Sequence, residues 1–123
     1  MTRKAVDSAS AVALITMPTY TKSNFIIGGR AVERLWLEAT KNNLTIHPLL
    51  AALFLFTRVN HGKGINMSQK MIMEVKNKRE TFKKIFNIND SMGEIFLFKI
   101  APSSELKVKS LRKPVETVLT IKK

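Results

Sequence analysis

The side chains able to do chemistry are few, and their spacing narrows what they can do. The two histidines, His47 and His61, lack the i,i+4 spacing of a helical zinc pair. With no cysteine in the chain, a structural zinc site is disfavoured, and disulfide and thiolate chemistry are excluded. Neither a Rossmann glycine fingerprint nor a phosphate-binding P-loop occurs. A Ser-His-Asp arrangement stays open, although nothing resembles a nucleophile elbow. Acidic residues are sparse, nine in all, and no pair suggests a glycosidase. What remains is redox chemistry through a bound cofactor, which the protein positions and tunes electrostatically.

The elements that must position these residues can be read from apolar periodicity. Residues 9–17 are apolar almost throughout and end at Pro18, which favours a strand covered on both faces, although the alanines leave helix open. Ser23 is placed to cap a helix running to about Lys41. On it, Phe25, Val32, Leu35, Trp36 and Ala39 form one stripe, with Gly28 and Gly29 near the same face. Two interior glycines cost about 1 kcal/mol each relative to alanine. Either a backbone or ligand approaches them closely, or they mark a late helix start. Asn42-Asn43 ends the helix, since asparagine tolerates a left-handed cap.

Leu44-Thr45-Ile46 reads as a short extended piece, and Pro48 disfavours helix at His47. Residues 49–59 are almost wholly apolar and predict a buried helix, and residues 60–64 a loop. A second long helix is expected from near Asn66, with Gln69 completing a capping box. Along it Met71, Val75, Phe82, Ile85 and Phe86 recur at helical spacing, and Glu74 with Lys78 and Glu80 with Lys84 form i,i+4 pairs. Residues 87–93 are a turn, and residues 95–100 a mostly buried strand. The tail then carries scattered apolar residues, Val108, Leu111, Val115, Val118, Leu119 and Ile121, which suit a position across a second subunit.

Length and composition set the frame. At 123 residues the chain suits one domain, and its 45% hydrophobic content argues against disorder. No apolar run reaches the roughly 18 residues of a membrane span. The N-terminal residues lack a signal peptide's apolar core, so cytoplasm is the default location. The formal charge of +12, concentrated in residues 70–84 and in the tail, could serve nucleic acid, a membrane surface or an anionic cofactor. No RRM, KH, zinc-finger or helix-turn-helix pattern appears, and the aromatics do not interleave with the basic residues as stacking platforms would.

The stretch Gly28-Gly29-Arg30-Ala31-Val32-Glu33-Arg34-Leu35-Trp36, followed by the His47-Pro48 segment and the terminal Ser110-Leu111-Arg112-Lys113-Pro114, resembles the C-terminal half of the FMN-dependent nitroreductases. Within that family it is most similar to the nitroreductase-like region of proteins in which a ThiF-like adenylating domain comes first. The resemblance runs from about Ala11 onward. It implies an α+β fold with a mixed or antiparallel sheet and long packed helices, and a single domain, residues 1–123, that is the C-terminal fragment of a larger protein. It also implies FMN as cofactor, NAD(P)H as reductant, a nitroaromatic or quinone as acceptor, and a homodimer or a missing N-terminal portion as partner.

By matched position, the backbone amides of Leu50 and Ala51, just after Pro48, contact the flavin near N5, and His47 touches flavin or substrate or else caps backbone groups. Lys109 and Arg112 correspond to the family's phosphate ligands. Leu50-Ala51 departs from the Glu-Gly common there, and the family's Arg-x-Ser motif has no counterpart in this chain. The rival readings are a non-catalytic interaction module of the same fold and a basic nucleic-acid-binding domain.

Overall fold

The computed structural model describes Asp7, residues 9–103 and residues 112–121. Its elements follow in the order β1 (Ala11–Met17), α1 (Lys22–Lys41), β2 (Leu44–Pro48), α2 (Ala51–Asn60), α3 (Gln69–Phe86) and β3 (Gly93–Pro102), with a 3-10 turn at Val115–Thr117. The last strand is the central one. β1 and β2 flank β3 and both run antiparallel to it, giving a three-stranded sheet of order β1-β3-β2. The domain is therefore α+β with an antiparallel sheet. No helix among the described residues is long and apolar enough to cross a membrane.

The alternation of side chains along β3 divides the core in two. Phe96 and Phe98 pack with Ala39 of α1 and Ile46 of β2, supported by Val32 and Leu35. Leu97 points the other way, into Leu49 and the α2 residues Leu53, Phe56 and Val59, with Val75 of α3. The sheet is thus sandwiched between α1 on one face and the α2–α3 pair on the other. One irregularity breaks the alternation. The register runs Ile15↔Phe96 and then Thr16↔Glu94, so Ile95 is an extra, bulged residue. Ile95 and Phe96 consequently both serve the α1 face, while Glu94 belongs to the α3 side.

The helix ends correct the sequence reading in detail. Thr21, not Ser23, caps α1: its hydroxyl accepts from the Asn24 N–H at 3.2 Å while its own backbone is extended. Both glycines therefore lie inside the helix, and only Gly28 is explained by packing. A Cβ there would meet Ile95 Cγ1 at 2.6 Å, whereas one at Gly29 would meet nothing within 4 Å. Asn42 caps the C-terminus and Asn43 takes the left-handed conformation (φ 55°), as expected. α3 begins later than the Asn66–Gln69 capping box would place it. Ser68 is its cap, accepting from the Met71 N–H at 3.3 Å, and Asn66 sits in a left-handed turn.

α2 is less buried than its apolar sequence suggests, since Phe54 is 68% exposed and Leu55 also faces outward. On α3, Val75, Phe82 and Phe86 reach the core, but Met71 and Ile85 are exposed. Glu74 pairs with Lys78 at 2.8 Å as expected, whereas Glu80 pairs with Lys83 (2.9 Å) in place of Lys84. In the tail Val115, Val118, Leu119 and Ile121 are exposed; Val108 and Leu111 lie outside the described residues.

Candidate functional site

The junction between β2 and α2 holds four of the six residues expected to meet a cofactor. His47 lies on β2 opposite Lys99, and Pro48 ends the strand opposite Phe98. Both are exposed. β2 is an edge strand, where a proline without an N–H is tolerated. Leu49 turns inward, and its N–H donates to the Leu97 carbonyl at 2.8 Å, fixing the junction to the central strand.

α2 then opens without a cap. Leu50 occupies the capping position, provides no side-chain hydrogen bond, and is followed by no acidic residue in the first turn. The first N–H groups of a helix have no intrahelical acceptor, so this end presents unpaired donors and the positive end of the helix dipole. Ala51 is exposed and Leu50 half-buried between the two halves of the core. Beside this end, an apolar groove of about 280 Å³ opens between α2 and α3, walled by Ala52, Leu55, Phe56, Met71 and Val75, with Glu74 and Lys78 at its rim.

Arg112 is exposed and leads into the Val115–Thr117 turn, which the Thr117 hydroxyl closes by donating to the Pro114 carbonyl at 2.7 Å. Among the described residues no hydrogen bond or ion pair ties Arg112 to the β2–α2 junction. Lys109 lies outside the described residues.

A second polar centre has no sequence precursor in the reading above. Arg79 of α3 is buried, its side chain only 7% exposed, and reaches two carboxylates. Its Nη2 lies 2.8 Å from Glu94 Oε1 and its Nη1 donates to Glu94 Oε2 at 3.1 Å, while Nε and Nη2 donate to Asp90 Oδ1 at 3.3 and 3.2 Å. Lys83 donates to the other Asp90 oxygen at 2.9 Å. The guanidinium carbon also sits 5.4 Å from the centre of the Phe56 ring.

Burial works to lower the pKa of Arg79, but the Glu94 contact and then Asp90 outweigh it and the net shift is upward. The hydrogen bond from Lys83 chiefly holds Asp90 below its ordinary value, burial opposing and Arg79 assisting. Glu94 Oε1 is buried and, although close to Arg79, lacks a hydrogen-bond-aligned partner. It borders a cavity of about 10 Å³ beneath Tyr20 and His61, whose rings stack at 3.7 Å.

The bulge is what brings Glu94 to Arg79, because a strand without the extra residue would turn Glu94 toward α1. Arg79, Asp90 and Glu94 are separated by 11 and 15 residues from Arg79 onward, beyond any local motif. With both carboxylates engaged, the arginine fastens α3 to β3 and its preceding turn and is not free to receive an anion. Among the described residues no three His, Cys, Asp or Glu side chains converge as a metal site would need.

No family model matches the chain, and no curated protein or solved structure matches it either.

Proposed function

We propose that this chain is a nitroreductase-like module that contributes one side of an FMN site in an NAD(P)H-dependent oxidoreductase. The observation that carries the reading is the uncapped start of α2 directly after Pro48. There the backbone donors of Leu50 and Ala51 are left without intrahelical acceptors, next in sequence to Ala52, which lines an apolar groove between α2 and α3. That combination suits a planar, largely apolar ring with hydrogen-bond acceptors at its edge. The α+β fold with an antiparallel sheet and long helices is also of the kind the resemblance implies.

Leu50 and Ala51 would meet the ring, His47 and Pro48 would border it, and Arg112 with Lys109 would neutralise the phosphate. Bound FMN would supply two-electron redox chemistry between NAD(P)H and a small acceptor such as a nitroaromatic or quinone. The remaining phosphate and ring contacts come from a second polypeptide, either another copy or a chain bearing the Arg-x-Ser motif.

Titration of FMN with the purified protein, followed by flavin fluorescence, tests this. Saturable quenching is expected, weakened by about tenfold or more in Arg112→Ala, the scale of one charge-assisted hydrogen bond. A titration that stays flat both for the purified protein and after co-expression with a chain bearing the Arg-x-Ser motif refutes the proposal. The second reading, a non-catalytic interaction module, is favoured by Leu50-Ala51 in place of Glu-Gly and by the large apolar side chains left exposed on α1 and α2. It predicts that neither flavin binding nor reductase activity appears, even after co-expression with the missing N-terminal portion.

A further inference from the structure

The side of α1 turned away from the sheet is too apolar to be an ordinary solvated face. Gly28, Val32, Leu35 and Ala39 point to the sheet, whereas Ile26, Arg30, Arg34 and Leu37 share the opposite side at helical spacing. Ile26 is 71% exposed and Leu37 66%, with Ile27 beside them. A shallow concavity of about 460 Å³ lies among Ile27, Arg30, Ala31 and Arg34. Among the described residues neither arginine has a hydrogen bond or an ion pair. Large apolar side chains alternating with unpaired guanidinium groups make a surface complementary to one kind of partner.

Charge selects the occupant. An isologous pairing of two copies would bring together the same arginine-bearing face of two chains that each carry a net charge of +12, which is repulsive. Nucleic acid would satisfy the arginines but has no apolar surface to cover Ile26 and Leu37. A bilayer would have to receive Glu33 and Glu38, which flank the apolar residues, along with them. A helix carrying carboxylates between large apolar side chains matches the centre of the face, with Glu33 and Glu38 left at its solvated margins: its leucines bury Ile26, Ile27 and Leu37, and its carboxylates accept the arginine forks. The geometry points to the outer face of α1 as the docking surface for an acidic amphipathic helix of another polypeptide.

The test uses the full chain and a fluorescent synthetic helical peptide with leucine on one face flanked by glutamate. A second peptide has lysine in place of each glutamate. The acidic peptide binds, with affinity that falls as salt is raised and drops by about tenfold or more in the Arg30→Glu, Arg34→Glu double variant. The lysine peptide does not bind. Both arginines are exposed, so the variant keeps the wild-type circular dichroism and loss of binding is not loss of fold. Absence of acidic-peptide binding, or equal binding of both peptides, overturns the inference. So does concentration-dependent dimerisation abolished by Ile26→Asp, which assigns the face to a second copy. Partition onto phosphatidylserine vesicles that the double variant loses assigns it to a membrane and overturns it too.

Discussion

Replacing Gly28 by alanine and replacing Gly29 by alanine should move stability in opposite directions, although the two residues are neighbours in one helix. Each substitution gains about 1 kcal/mol of intrinsic helix propensity. At Gly29 nothing opposes the gain, because a Cβ there meets no atom within 4 Å. At Gly28 the new methyl would stand 2.6 Å from Ile95 Cγ1 and 2.9 Å from Cγ2. Both are bonded directly to Cβ, so rotating the isoleucine exchanges one clash for the other. Relief requires α1 or the bulge in β3 to shift, at about 1–3 kcal/mol for overpacking of this kind.

Gly28→Ala is therefore expected to be neutral to about 2 kcal/mol destabilising, and Gly29→Ala about 1 kcal/mol stabilising. The two melting temperatures should differ by about 5–10 °C for a domain of this size. Urea unfolding followed by circular dichroism and by the fluorescence of Trp36 measures both. Trimming the neighbour in Gly28→Ala, Ile95→Ala should give a double variant more stable than the sum of the single changes. Equal stabilisation by the two alanines would refute the seating of α1 on Ile95.

Two further outcomes concern the arginine clamp. Arg79→Ala leaves Glu94 buried without its counter-charge and is expected to cost about 3–5 kcal/mol, while Arg79→Leu combined with Glu94→Leu recovers most of it; a single-variant loss below about 1 kcal/mol in urea unfolding contradicts the clamp. For acid stability, Asp90 has its pKa lowered in the folded state, chiefly by Lys83, so the unfolded chain takes up the proton first. Its contribution is present above about pH 4, the ordinary aspartate range, and is lost as pH falls below it. Asp90→Asn should flatten that part of the stability profile, and an unchanged acid slope would argue against the pairing.

Much of the fold was legible because it is written locally. The stripe on α1, the asparagine pair after it and the apolar segment around residues 95–100 became the elements their patterns imply, whereas the apolar run before Pro18 became a strand at the sheet edge with no buried residue, not one covered on both faces. The caps were misplaced by two residues, Thr21 for Ser23 and Ser68 for Asn66, because a cap is decided by backbone dihedrals that several adjacent polar residues could adopt. The exposure of Phe54 was hidden for a different reason: apolar composition says that a side chain can be buried, not that this chain supplies its cover. The clamp was invisible because Arg79, Asp90 and Glu94 meet only after α3 folds back on β3. For the candidate site, the resemblance alone singled out His47, Pro48, Leu50 and Ala51, which adjacency keeps together in the structure, whereas nothing local relates them to Arg112.

The extra residue in β3 joins these observations. Because Ile95 is bulged, it shares the α1 face with Phe96, where its side chain fills the space that Gly28 leaves open. The same insertion places Glu94 on the α3 side, where Arg79 can hold it. Removing it would reverse the facing of one segment of β3, setting a carboxylate against the apolar side of α1 and leaving a buried guanidinium short of a partner. Farther along β3 lies Leu97, whose carbonyl receives the Leu49 N–H and so fixes where α2 begins. The central strand thus seats α1, anchors α3 and sets the position of the free donors at Leu50 and Ala51. A change in its register would displace the proposed flavin-facing end without altering any residue of the junction itself.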